Sequence, residues 1–272
     1  MRTNSAFAAT CGLILCACWM RGQELPQATI QHGTFAFPDE SGTRLLTTSG
    51  LMQPAMLHTA LCSGGARFPV QFESRQAERE GHNGRETSYN FDKLAGDVYK
   101  VLRGKIDSGA SCFLISDLLL SSAAVLPAQR PEASGQCETV VRRRLASSRS
   151  RELVNCWPIA RLPEERLIVL VEFARRDKDA LASVVVIDGE RMIFADYPRV
   201  FRGQGQTLWR VDDEGILRAE RFQVVFLVQR GESYALGVDW LGDEGDSLSV
   251  FVSDGDRRFT EVIRDYWYRA PV

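Results

Sequence analysis

The chain has 272 residues, of which 44% are hydrophobic and 25% are charged. This composition is typical of a globular protein and excludes disordered and collagen-like chains. The formal net charge of -2 excludes the strongly basic balance that marks many nucleic-acid-binding proteins, so we expect no nucleic-acid partner.

The N-terminus has the pattern of an export signal. Arg2 is followed by an apolar stretch of about 12 residues, which suits a signal peptide and falls short of the roughly 20 needed to span a bilayer. The sequence Leu15-Cys16-Ala17-Cys18 resembles the lipid-attachment box of bacterial lipoproteins. The resemblance implies a signal peptide over residues 1–17, a lipid on Cys18 as the only membrane contact, and a periplasmic or outer-membrane location. Cleavage near Ala17 without a lipid, giving a secreted protein, is the alternative.

The seven cysteines divide into two groups. Two lie inside the predicted signal peptide, and Cys18 is the predicted lipid site. The four that remain are Cys62, Cys112, Cys137 and Cys156. In an oxidising compartment an even set predicts two disulfides, with three possible connectivities. We favour Cys137–Cys156 across a predicted hairpin that turns at 146–150, which leaves Cys62–Cys112. Since no two of the four cysteines are close in sequence, we expect no zinc site, and nothing in the sequence predicts another metal or a cofactor.

The chain after the signal peptide divides near residue 95. Residues 18–95 are rich in Gly, Pro, Ser and Thr, and they predict an irregular stalk with one strand at Phe68–Phe72. From residue 96 onward, short apolar runs alternate with turns such as Asp188-Gly189, which predicts an all-β domain over 96–272 built as two barrels or as a sandwich. A short helix is predicted over Phe259–Trp267. The predicted strands are Val98–Leu102, Cys112–Leu120, Cys137–Arg143, Arg166–Phe173, Leu181–Ile187, Arg191–Ala195, Phe222–Gln229, Tyr234–Trp240 and Leu248–Val252.

Three segments resemble trypsin-like serine proteases of the chymotrypsin fold. The sequence SGASCFLISDLLLSSAAVL at 108–126 resembles the strand and turn that present the catalytic histidine. The sequence RLIVL at 166–170 resembles the segment that carries the catalytic aspartate, and GDSLSVF at 245–251 resembles the loop that carries the catalytic serine. Together they imply a degenerate two-barrel protease domain.

The resemblance also implies that this domain is not catalytic. It assigns Ala124 to the histidine position, Arg166 to the aspartate position and Ser247 to the serine position. A serine nucleophile needs a base within hydrogen-bonding reach, and an alanine accepts no proton. The implied function is therefore a binding module for a protein or peptide partner.

Two motifs support an alternative, an active aspartic peptidase. The sequences IDSGAS at 106–111 and ALGVDWL at 235–241 resemble motifs of the retropepsin-like proteases. In that family two aspartates meet across a dimer and activate water, which assigns the catalytic role to Asp107. A third hypothesis is an unrelated β-sandwich lipoprotein with an interaction role.

A cluster of arginines is the strongest local charge in the sequence. It consists of Arg142, Arg143, Arg144, Arg149 and Arg151, and the sequence predicts that it lies on a hairpin. Such a cluster can contact anionic lipid or polysaccharide, although a solvated strand face is its commoner role.

Overall fold

The structure is a computed structural model that describes residues 30–132, 135–201, 209, 215–253, 255 and 257–269. The predicted signal peptide and Cys18 lie outside these residues. The described chain is built mostly of β-strands, which confirms the predicted all-β class. In the part of the chain that the structure describes, no helix is long and apolar enough to cross a membrane.

The first part of the fold is a closed six-stranded barrel, with the strand order β1-β2-β5-β4-β3-β6. Its strands are β1 (Thr34–Pro38), β2 (Arg44–Thr47), β3 (Thr59–Cys62), β4 (Ala66–Gln76), β5 (Gly96–Val101) and β6 (Cys112–Ile115). Three short 3-10 turns lie between them, at Pro54–Met56, Ser63–Gly65 and Ser88–Asn90. Small and aliphatic side chains fill the interior together with Tyr99.

The barrel corrects the predicted stalk. Residues 34–95 supply four strands and most of the loops of a packed barrel, and the predicted boundary at 96 falls at the start of β5. The one strand predicted here, Phe68–Phe72, lies within β4. The strands β1, β2 and β3 were missed because they have only four or five residues each. Glycine here serves turns within the barrel: Gly42 has a φ of +68°, and a Cβ there would lie 1.9 Å from the carbonyl oxygen of Ile106.

The second part consists of two antiparallel sheets. One has the order β11-β10-β9-β8 and the other the order β15-β14-β13-β12-β7. The strands are β7 (Ala124–Leu126), β8 (Leu153–Arg161), β9 (Leu167–Arg176), β10 (Asp179–Asp188), β11 (Arg191–Val200), β12 (Phe222–Arg230), β13 (Ser233–Trp240), β14 (Gly245–Ser253) and β15 (Phe259–Tyr268). A 3-10 turn at Ala219–Arg221 precedes β12. The apolar side chains between the sheets form one continuous core, as expected for a sandwich.

The five-stranded sheet also packs against the barrel through its other face. Phe113 of the barrel stacks on Phe226 of β12 with ring centroids 5.1 Å apart, and Phe35 and Phe37 make edge contacts with Trp267. The two parts therefore share an apolar cluster that runs from the barrel into the sheet. The layers follow in the order barrel, five-stranded sheet and four-stranded sheet. A helix over Thr139–Arg149 covers the outer face of the four-stranded sheet.

Two helices interrupt the strands, and both were predicted to be β. They are α1 (Asp117–Leu120), which ends the predicted strand that begins at Cys112, and α2 (Thr139–Arg149), which replaces the strand predicted over Cys137–Arg143. Conversely, the helix predicted over Phe259–Trp267 is the strand β15, paired along its length with β14.

Both favoured disulfides are present. Cys62 and Cys112 are bonded inside the barrel, and Cys137 and Cys156 are bonded beside α2. The pairing of Cys137 with Cys156 was predicted across a hairpin, whereas the chain between them forms a helix that returns to β8. The two disulfides indicate a non-reducing environment, which agrees with export of the protein.

Candidate anion-binding cleft

A cleft of about 900 Å³ lies on the outer face of the four-stranded sheet. Among the described residues, its lining combines two hydroxyls, two apolar side chains, one acid and five arginines: Arg143, Arg144, Ser147, Ser148, Arg149, Glu190, Met192, Phe194, Arg257 and Arg258. The cleft is therefore strongly positive, although the chain as a whole carries a formal charge of -2. We call it the arginine cleft.

Helix α2 forms one wall because its apolar side is anchored to the sheet. Leu145 is fully buried in a cluster that contains the disulfide Cys137–Cys156 and Phe194. The face that carries Arg143 and Ser147, four residues apart, lines the cleft beside the next pair, Arg144 and Ser148. Leu145 and the disulfide thus hold α2 against the sheet in the orientation that places Arg143 and Arg144 in the cleft.

Arg149 is fixed at the end of this wall by the sheet. Its Nη2 donates to both carboxylate oxygens of Asp196, at 2.8 and 2.9 Å, and its guanidinium lies 4.1 Å from the centre of the Phe194 ring. The Ser183 hydroxyl donates to the same carboxylate at 2.7 Å. A cation also suits the carboxyl end of a helix, where the helix dipole is negative. Arg149 is therefore held as part of the fold.

Arg144 is held more loosely at the turn between β10 and β11. Its Nη2 donates to the carbonyl oxygen of Gly189 at 2.7 Å and lies 3.4 Å from Glu190 Oε2. The Glu190 side chain is 97% exposed. Exposed ion pairs of this kind are weak, so a charged group from solution can replace Glu190 at little cost.

The opposite wall is the turn that leads into β15. The backbone carbonyl of Arg257 accepts a hydrogen bond from the Phe194 amide at 3.1 Å. The backbones of Arg258 and Phe194 form an isolated parallel β-bridge. The side chains of both arginines are exposed. Within the described ranges, neither they nor Arg143 take part in an ion pair, so three guanidinium groups are available to a ligand.

The chemistry of the cleft suits an anion with more than one charged group. Each guanidinium presents planar N–H donors that match a carboxylate or phosphate in a two-bond geometry. Met192 and Phe194 of β11 add apolar atoms to the lining, but Phe194 is only 3% exposed and is covered by the Arg149 guanidinium. In the part of the chain described, no group of three or more His, Cys, Asp or Glu side chains is arranged to hold a metal ion.

The structure does not bring Ala124 and Ser247 together. Ala124 pairs with Gln229 at one end of β12, whereas Ser247 pairs with Trp240, which pairs with Phe222 at the other end of β12. At about 3.3 Å per residue, the two positions are separated by roughly 20 Å along the strand direction. They do not share a cleft.

Arg166, in the aspartate position, lies near Ala124 rather than Ser247. It is 6% exposed, and its Nη1 donates to Gln229 Oε1 at 2.9 Å. The neighbouring Tyr234 hydroxyl donates to Asp188 Oδ2 at 2.7 Å, and burial raises the pKa of Tyr234 to about 12. These part-buried hydrogen bonds link the four-stranded sheet to the five-stranded sheet, which suits a structural role.

Asp107 lies in an exposed turn at the end of the barrel. Its Oδ1 accepts a hydrogen bond from the Gly109 amide at 2.9 Å, so the carboxylate closes its own turn. The two retropepsin-like motifs do meet, but through other residues: the Ser111 hydroxyl donates to Asp239. Both of these side chains are buried.

The sequence indicated only one wall of the cleft. Arg143, Arg144 and Arg149 line it, whereas Arg142 donates to Gln136 Oε1 and Arg151 donates to backbone carbonyls of the sheet. The pair Arg257-Arg258 was missed, since only folding places residues so distant in sequence beside α2. Comparison of the chain with protein-family models, with curated proteins and with solved structures gave no significant match.

Proposed function

We propose that this protein is an exported, lipid-anchored binding module without catalytic activity, and that its arginine cleft binds an acidic peptide segment of a partner protein. The observation that carries the proposal is the arginine cleft itself. Within the described residues, five arginines and a single acid line a concave surface, and three of these arginines are not in ion pairs. Such a surface attracts negative charge and holds it through paired hydrogen bonds.

An acidic peptide suits the cleft better than a membrane surface or a polysaccharide. The cleft is concave, whereas a bilayer surface is flat. Its lining includes the half-buried Met192, which offers apolar contact to side chains such as Leu or Val. A peptide that mixes acidic and apolar residues can contact both the arginines and Met192.

The absence of catalysis is supported by two sequence features and their placement. Ala124 carries no group that accepts a proton, and it lies at the opposite end of the sheet from Ser247. The aspartic peptidase is less well supported, because the two motifs meet through the buried Ser111–Asp239 hydrogen bond, whereas Asp107 lies outside this contact in a turn of its own. The binding role rests on the arginine cleft, whereas Ala124 and Ser247 are singled out only by the resemblance to trypsin-like proteases.

The proposed anchor rests on the N-terminal sequence and agrees with the two disulfides. Expression in a Gram-negative bacterium with a fatty-acid probe tests it. The wild-type chain should be labelled and recovered with membranes, and Cys18→Ser should abolish the label. A label that persists in Cys18→Ser would remove the anchor from the proposal.

Fluorescence anisotropy with a labelled peptide rich in glutamate and leucine tests the ligand. We expect binding at low salt, and no binding of a lysine-rich peptide of the same length. The variant Arg143→Ala/Arg257→Ala/Arg258→Ala should bind roughly tenfold more weakly, since three exposed ion pairs worth about 0.5 kcal/mol each sum to about 1.5 kcal/mol. The matched control Arg67→Ala/Arg79→Ala/Arg103→Ala removes three exposed arginines of the barrel part and should bind as the wild type does. Binding of anionic vesicles or acidic polysaccharide without peptide binding would contradict the peptide ligand.

A further inference from the structure

The two arginine–carboxylate pairs at the cleft differ in how firmly the acid is held. Asp196 accepts hydrogen bonds from Arg149 and Ser183, and its side chain is 20% exposed. Glu190 faces Arg144 at 3.4 Å from a turn, and its side chain is 97% exposed. The first pair is part of the fold, whereas the second leaves the glutamate free to move away.

We propose that Glu190 is an internal competitor of the ligand, whose carboxylate occupies the position on Arg144 that a ligand carboxylate takes when it binds. This inference rests on the proposed function of the arginine cleft. Arg144 keeps its hydrogen bond to the Gly189 carbonyl, so its guanidinium stays in place when Glu190 leaves. The exchange therefore requires movement of one exposed side chain only.

Competition of this kind makes the cleft selective for ligands with several charges. A single carboxylate that displaces Glu190 exchanges one exposed ion pair for another and gains little. A peptide with several acids also pairs with Arg143, Arg257 and Arg258, which have no acid partner in the described chain. Glu190 thus disfavours small single anions more than it disfavours an acidic peptide.

The variant Glu190→Gln tests this role, because it keeps the size of the side chain and removes its charge. We expect it to bind the labelled glutamate–leucine peptide about threefold more tightly than the wild type, as the loss of an exposed pair predicts. The matched control Glu40→Gln changes the net charge equally on an exposed turn of the barrel and should leave the affinity unchanged.

A double-mutant cycle shows whether the effect passes through Arg144. In the Arg144→Ala background, Glu190→Gln should give no more than a small gain, because the position for which it competes is gone. An equal threefold gain in both backgrounds would reduce Glu190 to general repulsion and overturn the inference.

The outcomes separate this inference from the proposed function. If the wild type binds the peptide through its arginines and Glu190→Gln binds no more tightly, the internal competitor is wrong and the proposed function stands. If neither the wild type nor Glu190→Gln binds although both are folded by circular dichroism, the proposed function and the inference both fail.

Discussion

The Ser111 hydroxyl donates a hydrogen bond of 2.5 Å to the Asp239 carboxylate, across 128 residues of sequence. Ser111 directly precedes β6 of the barrel, and Asp239 lies in β13 of the five-stranded sheet, so the bond joins the two parts of the fold. Ser111 is 3% exposed and Asp239 is fully buried. The two motifs that resemble retropepsin-like proteases therefore meet as a buried structural contact, while Asp107 lies outside it.

Removal of this hydroxyl should destabilise the protein without affecting the cleft. We expect Ser111→Ala to lower the free energy of unfolding by about 1–3 kcal/mol, because removing one partner of a buried hydrogen bond costs about that much. Urea unfolding followed by circular dichroism measures the change, with the exposed Ser108→Ala as control. Equal stability of the two variants would show that the bond contributes nothing.

Asp107→Asn should leave both folding and function unchanged. The asparagine Oδ1 can still accept the hydrogen bond from the Gly109 amide, so the turn is retained. We expect neither the wild type nor the variant to cleave a fluorogenic peptide library. Cleavage by the wild type that pepstatin inhibits and that Asp107→Asn abolishes would establish the aspartic peptidase instead.

The disulfide beside α2 should support the cleft as well as the fold. Replacing Cys137 and Cys156 by serine should cost about 2–4 kcal/mol of stability. It should also weaken peptide binding in the folded protein, because the disulfide anchors the wall that carries Arg143. The matched pair Cys62→Ser/Cys112→Ser lies in the barrel and should lower stability with no change in affinity. Unfolding curves and anisotropy on the same samples separate the two effects.

Two half-buried carboxyls, one on the C-terminal strand and one beside it, predict a pH-dependent stability. Burial raises the pKa of Asp265, and burial likewise raises the pKa of the nearby Glu86. Because the pKa of each carboxyl is higher in the folded than in the unfolded state, its contribution to stability is complete below about pH 4. This contribution is lost as the pH rises through the folded-state pKa, where the carboxyl loses its proton. Asp265→Asn should therefore become more stable relative to the wild type as the pH rises from about 4 to 7. Urea unfolding across this range checks it, and a difference that stays constant with pH would contradict it.

The hairpins of the second part were the most predictable elements. The predicted strand Phe222–Gln229 differs from β12 by one residue, because an apolar run ends at Arg230-Gly231, which supplies the turn. The barrel was less predictable. β1 is buried along its whole length and shows no alternation, and β4 is mostly polar.

The C-terminal strand shows why a periodic pattern can mislead. Its apolar residues recur with helical spacing: Phe259, Val262, Ile263, Tyr266 and Trp267. In the structure an irregularity in the pairing of β14 with β15 changes the face that the side chains take. Phe259 therefore packs between the two sheets, whereas Trp267 packs against the barrel.

Only one of the two walls of the arginine cleft could be predicted from the sequence. The arginines of α2 are close in sequence, so composition alone reveals them, although Thr139-Val140-Val141 favoured a strand over a helix there. Their opposite wall comes from a distant turn. No pattern in the sequence relates Arg257 and Arg258 to α2 before the sheet brings them together.

The salt dependence of peptide binding tests the central claim most directly. Anisotropy titrations of the labelled glutamate–leucine peptide are compared for the wild type and for Arg143→Ala/Arg257→Ala/Arg258→Ala over a series of NaCl concentrations. Because salt screens exposed charges, the account predicts tight binding at low salt that weakens steeply in the wild type. It predicts weak binding with a shallow salt dependence in the variant. Equal affinity and equal salt dependence in the two proteins would contradict the arginine cleft as the binding site.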